Sequence, residues 1–131
     1  MKKGRKRMDI VLQKSILGLF ICPLIMLIAG LLTWRILPRK INPIYGFRTK
    51  RASKSQESWE YANKLAARLF IVMSVIGVLF CIVMFLIVLN APLDTRYNTY
   101  RTVVFVNLGL FCMQLVSLIT IVEVKLKRKG F

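Results

Sequence analysis

The chain contains no histidine and only five acids, Asp9, Glu57, Glu60, Asp94 and Glu123. Without histidine, a Cys–His metal site and an imidazole general base are both excluded. The three cysteines, Cys22, Cys81 and Cys112, each lie inside an apolar run and show no CxxC spacing. They read as small packing residues rather than as metal or redox ligands. Glu57 and Glu60 sit about one helical turn apart and are the one acid pair placed to exchange a proton. They also stand among many cations, which they offset on a wet helix face, and no nucleophile–base set accompanies them. A non-enzymatic protein with no cofactor and no metal is the expectation. No repeat is visible, and no low-complexity tract exists beyond the basic ends.

What the chain has in abundance is apolar residues and cations. Hydrophobic residues make up 56% and the net charge is +16, with a mean hydropathy of +0.60. Both hold together only if the two kinds of residue are segregated along the chain. Three runs are free of formal charge: "SILGLFICPLIMLIAGLLTW" (15–34), "LFIVMSVIGVLFCIVMFLIVL" (69–89) and "TVVFVNLGLFCMQLVSLITIV" (102–122). Each meets the requirement of about 20 apolar residues for crossing a bilayer. The expected fold is an all-α membrane protein with three transmembrane helices, spanning about residues 15–36, 68–90 and 102–123. A basic segment, 1–14, precedes a three-span membrane domain, 15–131, whose motif connector runs over 38–67. The first run is too long for a signal-peptide core and lacks a small-x-small cleavage site, so it reads as a mature span.

Cations mark the side of the membrane on which a connector stays. Thirteen of the 21 lie in the first connector and the tail, and eight lie in the N-terminal segment and the second connector. This places the first connector and the C-terminus in the cytoplasm and the N-terminus outside, although a basic first flank favours the opposite. The basic clusters all adjoin spans, so anionic lipid headgroups account for them and nucleic acid is not an expected partner.

Polar features are few. Pro23 interrupts the donor series of the first span, which membrane helices tolerate. Pro38 and Pro43 push the residues before them toward extended geometry. Gly46 among bulky neighbours predicts a turn with positive φ. Ser53 with Gln56 fits a capping box, and Glu57 follows in a first helical turn. Trp59, Ala62, Asn63, Ala66 and Phe70 recur on one helix face, predicting a short interfacial helix ahead of, or continuous with, the second span. Trp59 is expected to seat that helix at the membrane interface. In the third span, Asn107, Gln114 and Ser117 fall near one face, where such residues usually bond to other helices; a polar path for a substrate is the other reading. Glu123 is expected to be solvated beside Lys125 and Lys127. The second connector offers nothing that can be read as a site; any pairing of Asp94 with Arg96 or Arg101 is weak.

The most specific stretch is "NPIYGFRTKRASKSQESWEYAN", residues 42–63. The order Asn42, Gly46, Arg48, Thr49, then Trp59, then Asn63 resembles the SdpI family of bacterial membrane proteins, with all anchors in order and spacing. The resemblance covers roughly residues 40–90, and the flanking spans fit the family's three-helix unit. One departure is Lys50, where the family often has Pro; it bears on the local turn. The resemblance implies immunity to a secreted toxic peptide and signalling through a cytosolic regulator held at the membrane. Founding-type members carry extra spans, so the full dual activity does not follow for this chain. The residues themselves allow two roles for the motif: a latch that shapes the loop, with Arg48 as a planar five-donor fork, or a surface for a toxic peptide or protein partner. A small transporter or channel subunit is the alternative, and three spans would need a homo-oligomer to form a pore.

Overall fold

A computed structural model describes residues 2–36, 40–42, 44–92 and 94–131. The turns expected around Pro38 and Pro43 involve positions outside these residues. Among the described residues there are three helices and no strand: α1 Lys2–Arg35, α2 Gln56–Asn90 and α3 Arg96–Arg128. Each is long and apolar enough to cross a membrane. This follows from the apolar runs, because a segment in hydrocarbon must satisfy its backbone internally. At 34 residues, α1 extends about 51 Å, well beyond the ~30 Å hydrocarbon core. The basic N-terminal segment continues the helix of the first span from Lys2 onward.

The amphipathic stretch ahead of the second span is not a separate helix; it forms the first turns of α2. Its cap differs from the sequence expectation. Ser55, not Ser53, is the N-cap: its hydroxyl accepts from Ser58 N–H at 3.1 Å, and Ser58 Oγ accepts from Ser55 N–H at 3.0 Å. Ser53 is used otherwise, its N–H donating to the Thr49 carbonyl at 3.0 Å in the preceding turn. Serine replaces the usual Glu or Gln of a capping box, so the Ser53–Gln56 spacing points to a register two residues early. Glu57 does lie in the first turn.

α1 packs chiefly on α2, and α3 lies more lightly against both. α1 and α2 approach closely at Gly30, where an added Cβ would stand 2.9 Å from Ile71 Cγ1 and 3.1 Å from the Ile71 backbone nitrogen. Small residues permit such approach in membranes, where packing rather than apolar transfer drives association. At the far end of α2, the Arg96 guanidinium donates to the carbonyls of Leu89 at 2.7 Å and Ala91 at 2.9 Å. It thereby takes carbonyls that the helix terminus leaves without partners.

Two cores result. One gathers Leu19, Cys81, Val88 and Val103 from the three helices. The other lies beside the connector: Ala52 fills the space between Ala62 and Ala66 of α2 and Leu118, Val122 and Leu126 of α3. Ala52 is fully buried, so the connector is folded down onto the bundle.

Candidate functional site

The connector is held by a short series of side-chain-to-backbone bonds. Asn42 Oδ1 accepts from Ile44 N–H at 3.1 Å and Tyr45 N–H at 3.0 Å, an Asx turn that substitutes for a backbone turn. Gly46 follows with φ of 106°, a conformation that a Cβ would strain. That reversal brings Phe47 N–H to Asn63 Oδ1 at 2.7 Å. Asn63 Nδ2 donates to the Trp59 carbonyl at 2.9 Å, which fixes which way the amide faces. Thr49 Oγ1 accepts from Ala52 N–H at 3.3 Å, and Ser58 Oγ donates to the Ala52 carbonyl at 3.0 Å. Apart from the Asn63–Trp59 bond, which lies within α2, these bonds tie loop backbone either to itself or to the first turns of α2.

Trp59 and Asn63 are both wholly buried. Trp59 is therefore not exposed to headgroups, as the sequence suggested it would be; its ring is enclosed within the fold, on a helix whose first turns the connector bonds through Asn63 and Ser58. The helix face itself is as expected, with Trp59, Ala62, Asn63 and Ala66 buried and Phe70 packed against the same core.

Asn42, Gly46, Arg48 and Thr49 lie together along an open groove of about 740 Å³, with Ser53 and α3 residue Ile119 on its other walls. Arg48 is exposed. The groove thus collects four of the six motif residues; of the other two, both buried, Asn63 holds the groove residue Phe47 by its backbone N–H.

Glu123 is not simply solvated. Its Oε2 stands 3.4 Å from Arg51 Nε, and its Oε1 is buried without a hydrogen-bond partner among the described residues. Arg51 also donates to the Phe131 carbonyl at 3.3 Å. Phe131 in turn meets the Tyr61 ring at 6.2 Å, and Lys129 Nζ lies 4.1 Å from the centre of the same ring. The tail and the connector are therefore one surface.

Of the three polar residues of the third span, Asn107 alone bonds to another helix among the described residues. Asn107 is nearly buried and donates from Nδ2 to the Leu19 carbonyl at 2.9 Å. The Cys81 thiol approaches the same carbonyl at 3.0 Å and Asn107 Oδ1 at 3.5 Å. Leu19 is four residues before Pro23. In a helix its carbonyl would accept from the N–H of residue 23, which proline lacks. The carbonyl released by Pro23 is thus taken by groups from both other helices. Sequence reasoning missed this junction, although the position i−4 from a membrane proline was the available signal. Gln114 and Ser117 do not join it. With Asn107 they line a cavity of about 410 Å³ among the helices, Gln114 half-buried and Ser117 exposed. All three cysteines are free thiols, and the described residues contain no group of His, Cys, Asp and Glu able to hold a metal ion.

The sequence profile of the SdpI/YfhL protein family matches residues 39–123, from the connector through the third span. A curated relative, the uncharacterized protein YfhL of Bacillus subtilis (strain 168), is 43% identical over 47 residues. That match covers 36% of this chain and 43% of YfhL. No solved structure matches the chain. The folded motif connector and the profile match over most of the three-helix unit lead to one assignment: the chain belongs to the SdpI/YfhL protein family.

Proposed function

We propose that this multi-pass membrane protein is a non-enzymatic immunity or signalling protein that counters a secreted, membrane-active toxic peptide in a bacterial cytoplasmic membrane. The observation that carries the reading is the connector. A loop held by Asn42, Gly46, Thr49 and Asn63 presents a fixed surface, and fixed surfaces serve recognition because little ordering entropy remains to be lost on binding. Residues 15–131 act as one three-span domain behind the basic segment 1–14. The connector and C-terminus face the cytoplasm, where they can meet a cytosolic regulator, and the N-terminus is outside. The charge distribution along the chain supports this orientation.

Two experiments test it. Expression in a sensitive bacterium should raise the concentration of a secreted membrane-active peptide that arrests growth, and the connector variant Asn63→Leu should lose the effect. Equal growth arrest with and without the protein across a panel of such peptides sinks the immunity reading. For orientation, Cys22, Cys81 and Cys112 are replaced by Ser and a single cysteine is placed at exposed Ser53. Labelling by a membrane-impermeant thiol reagent is expected only after the membrane is opened. Labelling of intact cells reverses the topology.

A second reading, a small transporter or channel subunit acting as a homo-oligomer, is favoured by one feature, the cavity lined by Asn107, Gln114 and Ser117. Solute flux abolished by Gln114→Leu would select it.

A further inference from the structure

The groove at the connector combines two chemistries. Arg48, Thr49 and Ser53 line it with polar groups, while Ile41 from the connector and Ile119 from α3 line it with hydrocarbon. Ile119 is 49% exposed and stands one turn before Glu123, near the end of the third span. Thr49 Oγ1 already accepts from Ala52 N–H, which leaves its own proton to donate.

The rim repeats the combination. The Asx turn at Asn42 holds Ile44 outward with 82% of its surface exposed, and Tyr45 beside it is 45% exposed. An isoleucine presented this way on a fixed turn suits the boundary between headgroups and acyl chains. The charge at this end is also one-sided. Arg51 of the connector bonds to the tail's Phe131, Lys129 of the tail lies over the Tyr61 ring, and Lys50, Lys54, Lys125 and Lys127, close to these in sequence, are exposed. The acids there are Glu57, Glu60 and Glu123, and two of these are engaged, Glu60 with Lys64 and Glu123 with Arg51.

We propose that this groove is a binding site for the anionic headgroup of a membrane phospholipid. The phosphodiester sits against the Arg48 guanidinium, whose planar fork matches phosphate oxygens. The Thr49 and Ser53 hydroxyls donate to it. The acyl chains leave past Ile119 along α3, and Ile44 enters the bilayer beside them. An acidic protein segment would answer the charge but would leave Ile41, Ile44 and Ile119 facing water. The site depends on the connector's geometry and not on the immunity reading; growth protection can fail while lipid selectivity stands.

The test uses the full chain, delipidated in a neutral detergent, titrated with phosphatidylglycerol and followed by native mass spectrometry. Phosphatidylcholine, inorganic phosphate and an oligoglutamate peptide are the comparison ligands. Phosphatidylglycerol should bind at least about tenfold more tightly than phosphatidylcholine. Arg48→Gln should weaken it by about tenfold, as loss of one charge-assisted hydrogen bond implies. Ile119→Trp, which fills the groove without altering charge, should weaken it comparably, and Arg101→Gln, near the opposite end of α3, should change it less than about twofold, because a single exposed charge away from the groove contributes little. Helical content and monodispersity of each variant verify folding. Equal binding of the two lipids overturns the proposal, as does binding within twofold of wild type in both groove variants. Inorganic phosphate matching phosphatidylglycerol assigns the groove to a free anion, and preference for oligoglutamate assigns it to a protein partner; either result also overturns it.

Discussion

The bond from Phe47 N–H to Asn63 Oδ1 holds the motif connector on α2, and Asn63→Leu removes it while nearly preserving volume. The acceptor lies 2.7 Å from the donor, and Asn63 is fully buried. A buried donor left without a partner costs about 1–3 kcal/mol. Phe47 is only half-buried, so water reaches part of the exposed amide and the lower half of that range applies, about 1–2 kcal/mol. The donation from Asn63 Nδ2 adds little, because the Trp59 carbonyl is in the helix four residues earlier and keeps its backbone partner. The connector's opening free energy should therefore fall by about 1–2 kcal/mol, which speeds exchange of the Phe47 amide by roughly 5- to 30-fold. Hydrogen exchange on the full chain in nanodiscs measures this, with amides in the middle of α2 as internal controls. If Phe47 exchanges within twofold of wild type while the variant stays folded, the latch is not what holds the connector. If α2 loses protection along its length, Asn63 supports the helix rather than the loop.

Three further perturbations separate the structural devices. Asn107→Leu should lower stability to denaturing detergent by about 1–2 kcal/mol, within the range for interhelical bonds in membranes; combined with Pro23→Ala, which returns an N–H to the Leu19 carbonyl, the loss should shrink, and strict additivity of the two changes would disprove the carbonyl-capture account. Gly46→Ala places a Cβ on a backbone with φ of 106° and should destabilise the connector by about 1–2 kcal/mol, read as faster limited proteolysis between residues 40 and 55 with the helices intact. Ser55→Ala removes the cap of α2 and should cost about 1 kcal/mol, whereas Ser53→Ala should be close to neutral; equal effects would show that the capping register is misassigned.

Much of this architecture is legible in sequence because a bilayer imposes a nearly one-dimensional rule. An uncharged run of sufficient length must become a helix, whatever it later packs against, and α1, α2 and α3 each contain the run that announced them. The positive φ at Gly46 and the buried face from Trp59 to Ala66 are likewise local consequences of residue type and period. The capping register is not legible in sequence because Ser53 and Ser55 offer the same hydroxyl, and the choice between them depends on the turn that begins at Thr49. The burial of Trp59 is a matter of tertiary packing, which no local pattern encodes. The partners of Leu19, Arg51 and Asn107 lie further away still. Asn107 reaches the Leu19 carbonyl across 88 residues, and Arg51 reaches Glu123 on a different helix. Sequence alone determined which groups would need partners; only the packing of three helices decided which groups those partners are, because hydrogen bonds act over a few ångströms in space without regard to separation along the chain.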